Sequence, residues 1–465
     1  MLTTQLPTAA LISARIDRLP AARPLWSWVR RISFGAFFEI YETALTTVLA
    51  PLLVRAGIFH NDRGGLFGLP DLATFGFATF AGLFMGALVF SALADRWGRR
   101  PIYTWSLFWY AAATLIMAMQ TDALSICVWR LIAAVGVGAE IIAVDSYLSE
   151  MLPKAMRGRG FAISKALQYT AVPLAGILAA ILAKRTLGGL AGWQILLGVP
   201  LLGAILIGWV RRGLPESPRW LAAQGRLAEA DAILEDVETR IARETGQPLP
   251  PVNAAVNPAG SPRRGYSDLL APSLWPRTLM LIIVSCATTI AYFGFGNWLP
   301  SLLEARGIDV TRSLGYTALI GLSYPITPFV ISFFADRYER KWQIIGGAVV
   351  VVVAGLLFAW QTSALGWIVC GLAITMGNNV TAYATHTYRS ELFPTSLRAR
   401  GIGVVYSIDR IAAALNSYLI GFILVEGGVS GVIAAIAGAE ILAMIIVGRF
   451  GPRTTGLALD QVAAA

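Results

Sequence analysis

Long apolar runs separated by short polar segments fill most of the chain. Twelve of these runs have about the 20 residues that an α-helix needs to cross a bilayer. They are Ser33–Val54, Leu72–Leu93, Ile102–Gln120, Leu124–Met151, Phe161–Ala183, Trp193–Val210, Leu279–Leu303, Leu314–Ala335, Trp342–Trp360, Leu365–Tyr388, Ile402–Leu424 and Val429–Phe450. Because the runs are continuous, they do not fit the alternating strands of a β-barrel. The pattern predicts an all-α polytopic membrane protein with 12 transmembrane helices.

Composition excludes the other classes of protein. Of the 465 residues, 56% are hydrophobic and only 14% are charged, whereas about 25% are charged in soluble domains. The chain is also too apolar for a disordered protein. Cys127, Cys286 and Cys370 lie in apolar runs without a CxxC pair, which predicts neither disulfides nor a metal site. Since no Walker loop occurs either, we expect no enzymatic activity and no cofactor.

One polar segment divides the runs into two sets of six. The predicted organisation is an N-terminal tail at 1–32, a bundle at 33–212, a loop at 213–276, a second bundle at 277–450 and a tail at 451–465. Within the loop, charged residues at helical spacing predict a surface helix over Arg226–Thr245. The Pro-rich stretch Gln247–Arg264 is typical of a linker.

Basic residues are concentrated on one side of this arrangement. The chain carries 37 Lys and Arg against 27 Asp and Glu, a net charge of +10. With twelve spans both tails lie on the same side, and most basic residues fall in the tails and loops of that side. Because positive loops stay in the cytoplasm, we expect cytoplasmic termini in a multi-pass protein of the bacterial inner membrane. The charge therefore reports topology and does not indicate a nucleic-acid partner.

The two halves repeat each other. Asp95–Arg100 recurs as Asp336–Lys341, and Ser149–Gly160 recurs as Ser390–Gly401, in each case 241 positions later. Since each half contains six spans, the two copies share one orientation. The sequence thus predicts two parallel-repeat six-helix bundles with a substrate site between them, near the middle of the membrane.

These motifs resemble the major facilitator superfamily over essentially the whole chain. Asp95–Arg100 matches its best-known loop signature, with Ser91 where Gly is usual, and Arg130–Gly138 resembles its helix-four motif. Pro215–Leu221 resembles the segment after helix six in the sugar-porter and organic-ion branch. The resemblance implies the fold of that superfamily and a monomeric secondary transporter that works by alternating access.

A narrower resemblance concerns the first and fourth spans. Phe37–Glu42 is similar to a pattern of metabolite–proton symporters, with Glu39 where Asp is more usual, and Gly136–Glu150 agrees with the same group. That group includes bacterial niacin transporters and is similar to animal organic-ion transporters and to synaptic vesicle glycoprotein 2. The resemblance implies proton-coupled uptake of a small organic anion, with nicotinate or a similar aromatic monocarboxylate as the favoured substrate.

Two acids in span one are candidates for proton coupling, because an ionisable group inside a bilayer is costly to keep. Glu39 and Glu42 lie three residues apart and share a helix face. Two carboxylates in a low-dielectric site resist double ionisation, so one of them is expected to bind and release a proton. The alternative is that one of them is a structural partner of a cation such as Arg130.

Span four carries two further candidates for proton coupling. Glu140 and Asp145 are turned about 140° apart on the helix. One is expected to face the span-one acids or Arg130, and the other to pair with Lys165 in span five. The alternative is that both form buried ion pairs that hold the bundle together. His386, the repeat equivalent of Asp145, is interpreted as a neutral hydrogen-bonded residue in preference to a titrating one.

Arg410 in span eleven is the strongest single candidate for substrate binding. A guanidinium holds a planar carboxylate through two hydrogen bonds, and an arginine inside the membrane needs an anion or water. Organic-anion members of the resembled branch carry a basic residue near this position, whereas cation members tend to carry an acid. The alternative is structural pairing, although the adjacent Asp409 points about 100° away.

Aromatic and amide side chains on the same helices suit a small ring that bears a carboxylate. Those expected to bind substrate with Arg410 are Phe38, Tyr41, Gln168, Tyr292, Trp298, Asn378, Asn379 and Tyr383, and the same set includes Tyr169, Phe293 and Asn297. For each of them packing or lipid contact is the alternative, and for Trp298 a position at the membrane interface.

The repeated loop motifs are expected to gate the cytoplasmic mouth. The gating set is Asp95, Arg96, Glu150, Arg157, Asp336, Arg337, Glu391 and Arg398. Asp95 and Arg96 are expected beside Glu150 and Arg157, and carboxylates there also stabilise the N-terminus of a helix. The alternative is positive-inside anchoring, which fits Arg99 and its basic neighbours better than the acids.

Two other functions stay open. A sugar or organic-cation porter of the same superfamily has the same fold, although Arg410 argues against cations and the acids of spans one and four argue against sugars. A receptor that does not transport is the third hypothesis. Such a protein would tolerate loss of its charges inside the membrane, and this chain retains them.

Overall fold

Helices make up nearly all of the computed structural model, which describes residues 8–211, 214–252, 266–272, 274–331, 338–393 and 398–453. The helices are α1 (Ala9–Asp17), α2 (Arg23–Arg55), α3 (Asp71–Trp97), α4 (Arg99–Met117), α5 (Ala123–Met151), α6 (Lys154–Tyr169), α7 (Ala171–Leu182), α8 (Gly192–Arg211), α9 (Pro218–Ala223), α10 (Leu227–Thr245), α11 (Trp275–Gly296), α12 (Leu299–Glu304), α13 (Val310–Gly321), α14 (Ser323–Ile331), α15 (Arg340–Trp360), α16 (Ala364–Leu392) and α17 (Arg398–Phe450). Strands β1 (Thr186–Leu187) and β2 (Leu190–Ala191) form a short hairpin, and two 3-10 turns cover Leu66–Gly68 and Tyr266–Leu270.

The twelve predicted spans all fall on helices. Within the described residues, nine helical stretches are long and apolar enough to cross a membrane. The last of these, Gly401–Phe450, holds two spans, because Gly428 has a φ of 59° that no regular helix contains. The shorter apolar helix Gly192–Leu206 and the helix α4 complete the twelve. In chain order the spans are α2, α3, α4, α5, α6–α7, α8, α11–α12, α13–α14, α15, α16 and the two parts of α17.

Three of the spans are broken, and proline explains each break. The helices α6, α11 and α13 each end four residues before a proline, namely Pro173, Pro300 and Pro325. Proline has no N–H to bond to the carbonyl four residues earlier, which favours a break at that point, although Pro51 and Pro200 lie inside the continuous helices α2 and α8. The breaks lie in spans five, seven and eight, which contribute side chains to the site described below.

Small residues bring the two halves together. The halves meet chiefly where α3 crosses α17 and where α7 crosses α13. A Cβ atom added to Gly76 of α3 would lie 2.6 Å from Oγ of Ser417, and one added to Gly176 of α7 would lie 2.8 Å from Cβ of Ala318. Larger side chains would force these helices apart, so the glycines allow the close approach.

The apolar core shows on which side the molecule is closed. We call the side that carries the repeated loop motifs the motif face, and the other side the opposite face. On the opposite face one core cluster joins both halves, with Leu49 and Phe75 beside Phe295 and Trp298. On the motif face one cluster comes almost entirely from the N-terminal half and another from the C-terminal half alone. The interior between the halves therefore opens towards the motif face.

Much of the predicted N-terminal tail is helical. The apolar side of α1, including Ile12 and Ile16, packs on Trp220 of α9 and Leu234 of α10. The helix α2 begins at Arg23, ten residues before the predicted start of span one. The described part of the predicted tail at 1–32 is thus largely helical, because short amphipathic segments there gain packing partners that a hydropathy pattern does not reveal.

Charged side chains fix α1 to the loop between the halves. Arg15 pairs with Asp231 and, at 2.9 Å, with Glu238, which also pairs with Arg18 at 2.8 Å. Burial acts to raise the pKa of Glu238, but the hydrogen bonds from the two arginines outweigh it and hold that pKa below its usual range. The helix α10 matches the predicted surface helix, whereas residues 253–264 of the predicted linker lie outside the described residues.

Candidate functional site

Arg130 lies at the centre of a buried polar cluster in the N-terminal half. Its guanidinium donates to Oε1 of Glu42, to the backbone carbonyl of Glu42 and to the hydroxyls of Thr46 and Thr79, all at 2.7–2.8 Å. Thr114 donates to the same Glu42 oxygen at 2.6 Å. Four helices thus meet around one charge, which satisfies a guanidinium that would otherwise be too costly to bury. The structure thus shows Glu42 in the alternative role, as the ion-pair partner of Arg130.

Glu39 and Glu140 have a different environment. Both are buried, and within the described residues neither Oε2 of Glu39 nor either carboxylate oxygen of Glu140 has a hydrogen-bond partner. Glu39 is the carboxylate that acts electrostatically on Glu140, and Tyr110 of α4 lies beside it. Glu39 and Glu140 are thus buried acids of spans one and four without an ion-pair partner among the described residues. Glu42 instead has the cationic partner that was the alternative for one of the span-one acids, and proton coupling by Glu39 stays a prediction.

Asp145 and Lys165 form the predicted ion pair between spans four and five. Oδ1 of Asp145 lies 3.3 Å from Nζ of Lys165, and the two side chains are 48% and 31% exposed. Gln168 lies one turn further along α6, where it accepts from Lys165 at 3.4 Å and donates to Ser164 at 2.7 Å. The amide of Gln168 thus helps to position the lysine. The partial exposure shows that this pair faces open space between the halves.

Arg410 has aromatic neighbours and no acid. Its Cζ lies 4.5 Å from the ring centroid of Tyr406 and 5.9 Å from that of Phe293. In the described part of the chain no carboxylate pairs with Arg410, and its Nε has no hydrogen-bond partner. The adjacent Asp409 accepts a hydrogen bond from Thr289 and lies 3.7 Å from Nη2 of Arg389. Arg389 thus takes the acid that was the predicted rival for Arg410.

Tyrosine rings surround the same space. The ring of Tyr169 lies 5.9 Å from that of Tyr324 across the two halves, and Tyr292 lies 6.2 Å from Tyr324. We call the set that faces this space the central site. It comprises Asp145, Lys165 and Tyr169 of the N-terminal half and Tyr292, Phe293, Tyr324, His386, Tyr406 and Arg410 of the C-terminal half.

The repeat extends into the central site. Three pairs of positions that differ by 241 line it, namely Asp145 with His386, Lys165 with Tyr406, and Tyr169 with Arg410. Sequence reasoning used the offset only for the first pair and missed Tyr406 and Tyr324. Applied to Lys165, the same offset points directly to Tyr406. The central site is therefore built from equivalent positions that carry different chemistry.

Phe38 and Tyr41 do not face the central site in this conformation. The ring of Phe38 lies against Gly203 of α8, where an added Cβ would come within 2.6 Å of it, and the hydroxyl of Tyr41 donates to the carbonyl of Leu196, also in α8, at 3.3 Å. Both side chains are buried within the N-terminal bundle. The prediction that Phe38 and Tyr41 contact the substrate does not agree with this conformation, because the face of α2 next to Glu39 packs on span six.

Trp298 is buried between the halves, on the opposite face. An added Cβ on Gly421 would lie 3.2 Å from the Trp298 ring and 2.9 Å from Cβ of Ala73. Nearby, Thr47 of span one donates to Asn297 at 3.4 Å. Trp298 thus lies neither at the membrane interface nor in the central site, but in the apolar layer that closes this side.

The amides of α16 have different surroundings. Asn379, Tyr383 and His386 are spaced four and three residues apart and share a face, and Tyr383 and His386 are exposed. Asn378 is buried and its Oδ1 has no hydrogen-bond partner among the described residues. Since neighbouring residues point about 100° apart on a helix, Asn378 belongs to the bundle interior and Asn379 to the face that carries His386.

Each described motif on the motif face is held by an ion pair. Arg99 lies 2.9 Å from Glu150, and the repeat-equivalent Arg340 lies 3.3 Å from Glu391. Arg99 therefore has a defined acidic partner, and whether it serves gating or anchoring stays a prediction. Arg96 is exposed, and the described partner of Glu150 is Arg99. The side chains of Asp95, Asp336, Arg337 and Arg398 lie outside the described residues.

Glu216 accepts the first backbone N–H groups of α4. It bonds to the amides of Arg99 and Arg100 at 3.2 and 3.3 Å, which places a carboxylate at a helix N-terminus. Gly98, with a φ of 102°, makes this approach possible, because an added Cβ would lie 2.4 Å from Oε2 of Glu216. Burial raises the pKa of Glu216 although these amides favour its charge.

Arg157 interacts with the N-terminal helix. It lies 3.9 Å from Oδ1 of Asp17, which also binds Arg219 at 2.7 Å. The structure thus describes a contact of Arg157 with Asp17, where a contact with the Asp95 loop was expected. Two contacts of the opposite face were not predicted either, the ion pairs Arg63–Glu426 and Lys184–Asp309, which join the two halves.

The chain matches the family model described as sugar (and other) transporter over residues 31–465. It belongs to this transporter family. The family lies within the major facilitator superfamily, so the predicted superfamily and the twelve-helix fold are confirmed, and the chain is a multi-pass membrane transporter of the sugar and metabolite type.

The chain aligns with curated transport proteins over most of their length. The putative metabolite transport protein YyaJ of Bacillus subtilis is 30% identical over 95% of each chain. The niacin transporter NiaP of Acinetobacter baylyi is 24% identical over 86% of this chain and 87% of its own. A partially occluded, inward-open structure of the xylose transporter XylE from E. coli has a TM-score of 0.72, at 16% identity, and covers 94% of this chain and all of that one. That likeness shows the fold.

Proposed function

We propose that the chain couples the uptake of a small organic anion to protons, with nicotinate or a similar aromatic monocarboxylate as substrate. Arg410 is the observation that carries the proposal. It is a guanidinium inside the membrane region whose neighbours are aromatic rings and whose adjacent acid pairs with Arg389. A carboxylate would supply the missing anion in a bidentate geometry that arginine favours.

The balance of charges inside the molecule supports a substrate with a single negative charge. Arg130 is paired with Glu42, Lys165 with Asp145, and Arg389 with Asp409. Arg410 remains as the cation without an acidic partner among the described residues. A dianion would bring one negative charge too many into a low-dielectric space, so the balance favours a monocarboxylate. The surrounding rings of Tyr169, Tyr292, Tyr324 and Tyr406 favour an aromatic one.

Glu39 is the proposed link between the proton and the substrate. It interacts electrostatically with Lys165 and Arg410 on one side and with Glu140 on the other. An ionised Glu39 partly balances Arg410 when the site is empty. Once a substrate carboxylate binds Arg410, that balance is no longer needed, and a proton on Glu39 keeps the site electroneutral. Proton and anion are thus bound together, one for one. Glu42 and Asp145 would keep their ion pairs.

The direction of opening gives the site its access. The opposite face is closed by the Trp298 layer and the interior opens to the motif face. We take the motif face as cytoplasmic, because the basic loops lie there. The pairs Arg99–Glu150 and Arg340–Glu391 and the side chains of Asp17 and Arg157 are then the parts that rearrange when the inner mouth closes, while Arg63–Glu426 and Lys184–Asp309 separate outside.

A ligand screen on the purified full-length chain tests this proposal. Nicotinate, benzoate, xylose, glucose and a primary amine are compared by the shift in unfolding temperature, since a ligand that binds only the folded state stabilises it. Aromatic carboxylates are expected to raise the midpoint and the amine is not. Arg410→Ala should remove the shift for carboxylates. Stabilisation by the carboxylates that is identical in Arg410→Ala would contradict the proposal.

A sugar substrate is the second candidate. The match to the sugar transporter family and the likeness to a xylose transporter favour it. A sugar would need hydroxyl and amide partners, and Asn379 and Tyr383 offer them on one face of α16. The same screen decides between the two, because a sugar that stabilises both the wild type and Arg410→Ala would identify a neutral substrate.

A further inference from the structure

We infer that His386 recognises a hydrogen-bond acceptor in the ring of the substrate whose carboxylate Arg410 holds. The inference rests on the proposed function and narrows it to aromatic monocarboxylates with an acceptor atom in the ring, such as a pyridine nitrogen. Selectivity would then be divided between two residues of the C-terminal half.

Arg410 and His386 share Tyr406 as a neighbour. The Cζ of Arg410 lies 4.5 Å from the ring centroid of Tyr406, and the imidazole centroid of His386 lies 6.4 Å from the same centroid. The guanidinium and the imidazole are therefore at most about 11 Å apart. A six-membered ring with its carboxyl group, with a hydrogen bond of about 3 Å at each end, can reach across that distance. Tyr406 offers such a ring a surface to stack on.

His386 is available to a ligand. Its side chain is exposed, and no hydrogen bond joins its ring to another side chain in the part of the chain that the structure describes. The charged groups that act on it are Arg389, Asp145, Arg410 and Asp409. Three of these four are in ion pairs, Asp145 with Lys165 and Asp409 with Arg389. Arg410 repels a positive imidazole, so the ring is best accommodated in its neutral form.

The chemistry of a neutral imidazole fits this role. It carries one N–H donor and one acceptor nitrogen, whereas a pyridine nitrogen is an acceptor only. Asp145, the repeat-equivalent position, carries an acid that would repel such an acceptor. The ring nitrogen is thus expected to point to the C-terminal half, which fixes the orientation of the ligand between Arg410 and His386.

Binding of two probe ligands to the full-length protein tests the inference. Nicotinate and benzoate differ only at the ring position that His386 would read. In the wild type we expect nicotinate to bind about fivefold more tightly than benzoate, as one hydrogen bond would give. In His386→Phe, which keeps an aromatic ring beside Tyr406, the affinity for nicotinate should fall to that for benzoate, while the affinity for benzoate stays unchanged. His386→Gln, which keeps a donor, should restore part of the preference.

The same exchange at His60 is the matched control, because the chain has two histidines and His60 lies in the loop before α3, bonded to Asp71. His60→Phe should leave the preference intact. Equal affinities for the two ligands in the wild type, or an equal loss of both in His386→Phe, would overturn the inference and leave Arg410 as the anion site. If neither ligand binds the wild type, the proposed function fails as well.

Discussion

The two halves share one fold but differ in how their buried cations are paired. In the N-terminal half Arg130 makes four hydrogen bonds and Lys165 has an acidic partner. In the C-terminal half Arg389 is paired, but Arg410 lies over Tyr406 with no carboxylate beside it in the described residues. A fully paired charge serves stability, whereas an unpaired one is available to a ligand.

Acids without a partner among the described residues occur in both halves, since Glu440 of the C-terminal half is also buried with neither carboxylate oxygen bonded, but those next to the central site lie in the N-terminal half. Glu39 and Glu140 belong to the N-terminal half, and the unpaired cation belongs to the C-terminal half. The twofold repeat places Tyr169 opposite Arg410 and Asp145 opposite His386. We therefore assign proton coupling to the N-terminal bundle and anion binding to the C-terminal bundle. Each assignment can be tested separately.

The largest expected effect concerns the paired charge. Glu42→Leu should lower the free energy of unfolding by about 3–5 kcal/mol, because it leaves a buried arginine without an anion. Arg130→Met should cost less, since a carboxyl can take up a proton whereas a guanidinium cannot lose one. The double variant should recover much of the loss. Unfolding in detergent measures all three, and wild-type stability of Glu42→Leu would show that the cluster is not structural.

Arg410→Ala should have the converse effect. We expect affinity for an aromatic monocarboxylate to fall by about 100-fold, as for loss of a charged hydrogen-bonding group, while the unfolding midpoint changes little. Arg410→Lys should be intermediate, because a point charge replaces the bidentate fork. Titration calorimetry measures the affinity. An Arg410→Ala protein that is unstable but binds normally would reverse the assignment of the two arginines.

The proton half of the comparison is tested by Glu39→Gln and Glu140→Gln. In proteoliposomes with a pH gradient, each should reduce accumulation of the substrate towards the equilibrium ratio while exchange of internal for external substrate continues. Glu42→Gln serves as the comparison, since its ion pair predicts a loss of protein stability first. Undiminished accumulation in both Glu39 and Glu140 variants would remove these residues from proton coupling.

The smallest expected effect concerns α1, which packs on the loop helices α9 and α10. Glu238→Gln should weaken its docking by about 0.5–1 kcal/mol, the range of exposed ion pairs. Because the pKa of Glu238 is held below its usual value, its contribution is complete at neutral pH and is lost as the pH falls through that lowered pKa. Proteolysis of the tail at several pH values, with and without added salt, measures the release. Release that is independent of pH would argue against an electrostatic clamp.

Sequence reasoning reached the fold because hydropathy and the 241-residue offset are linear signals. It also predicted that one of the two span-four acids pairs with Lys165, which in the structure is Asp145, and that the other faces the span-one acids or Arg130. Which of the two span-one acids pairs with Arg130 depends on how α2 is rotated against α5. The same rotation turns Phe38 and Tyr41 towards α8, and the sequence of α2 does not show which neighbour each of its faces meets.

The pair of Arg389 with Asp409 shows a different limit of prediction from the sequence. Its pairing with Asp409 decides that Arg410 is unpaired, but the pair joins spans ten and eleven, and position in the sequence alone gave Asp409 no partner. The residues of the opposite face were missed for a similar reason. Arg63 and Glu426 are ordinary loop charges until the fold brings two distant loops together.

The Arg130 cluster also has a consequence for how the protein is made. Every hydrogen-bond partner of this arginine, namely Glu42, Thr46 and Thr79, lies on a helix that is synthesised before α5, and so does Thr114, which donates to Glu42. An arginine near the middle of an inserting helix costs about 2.5–3.5 kcal/mol at the translocon. Because the N-terminal part of a chain emerges first, the acceptors are already in the bilayer when α5 arrives. The order of synthesis thus places the hydrogen-bond acceptors in the membrane before the helix that carries Arg130.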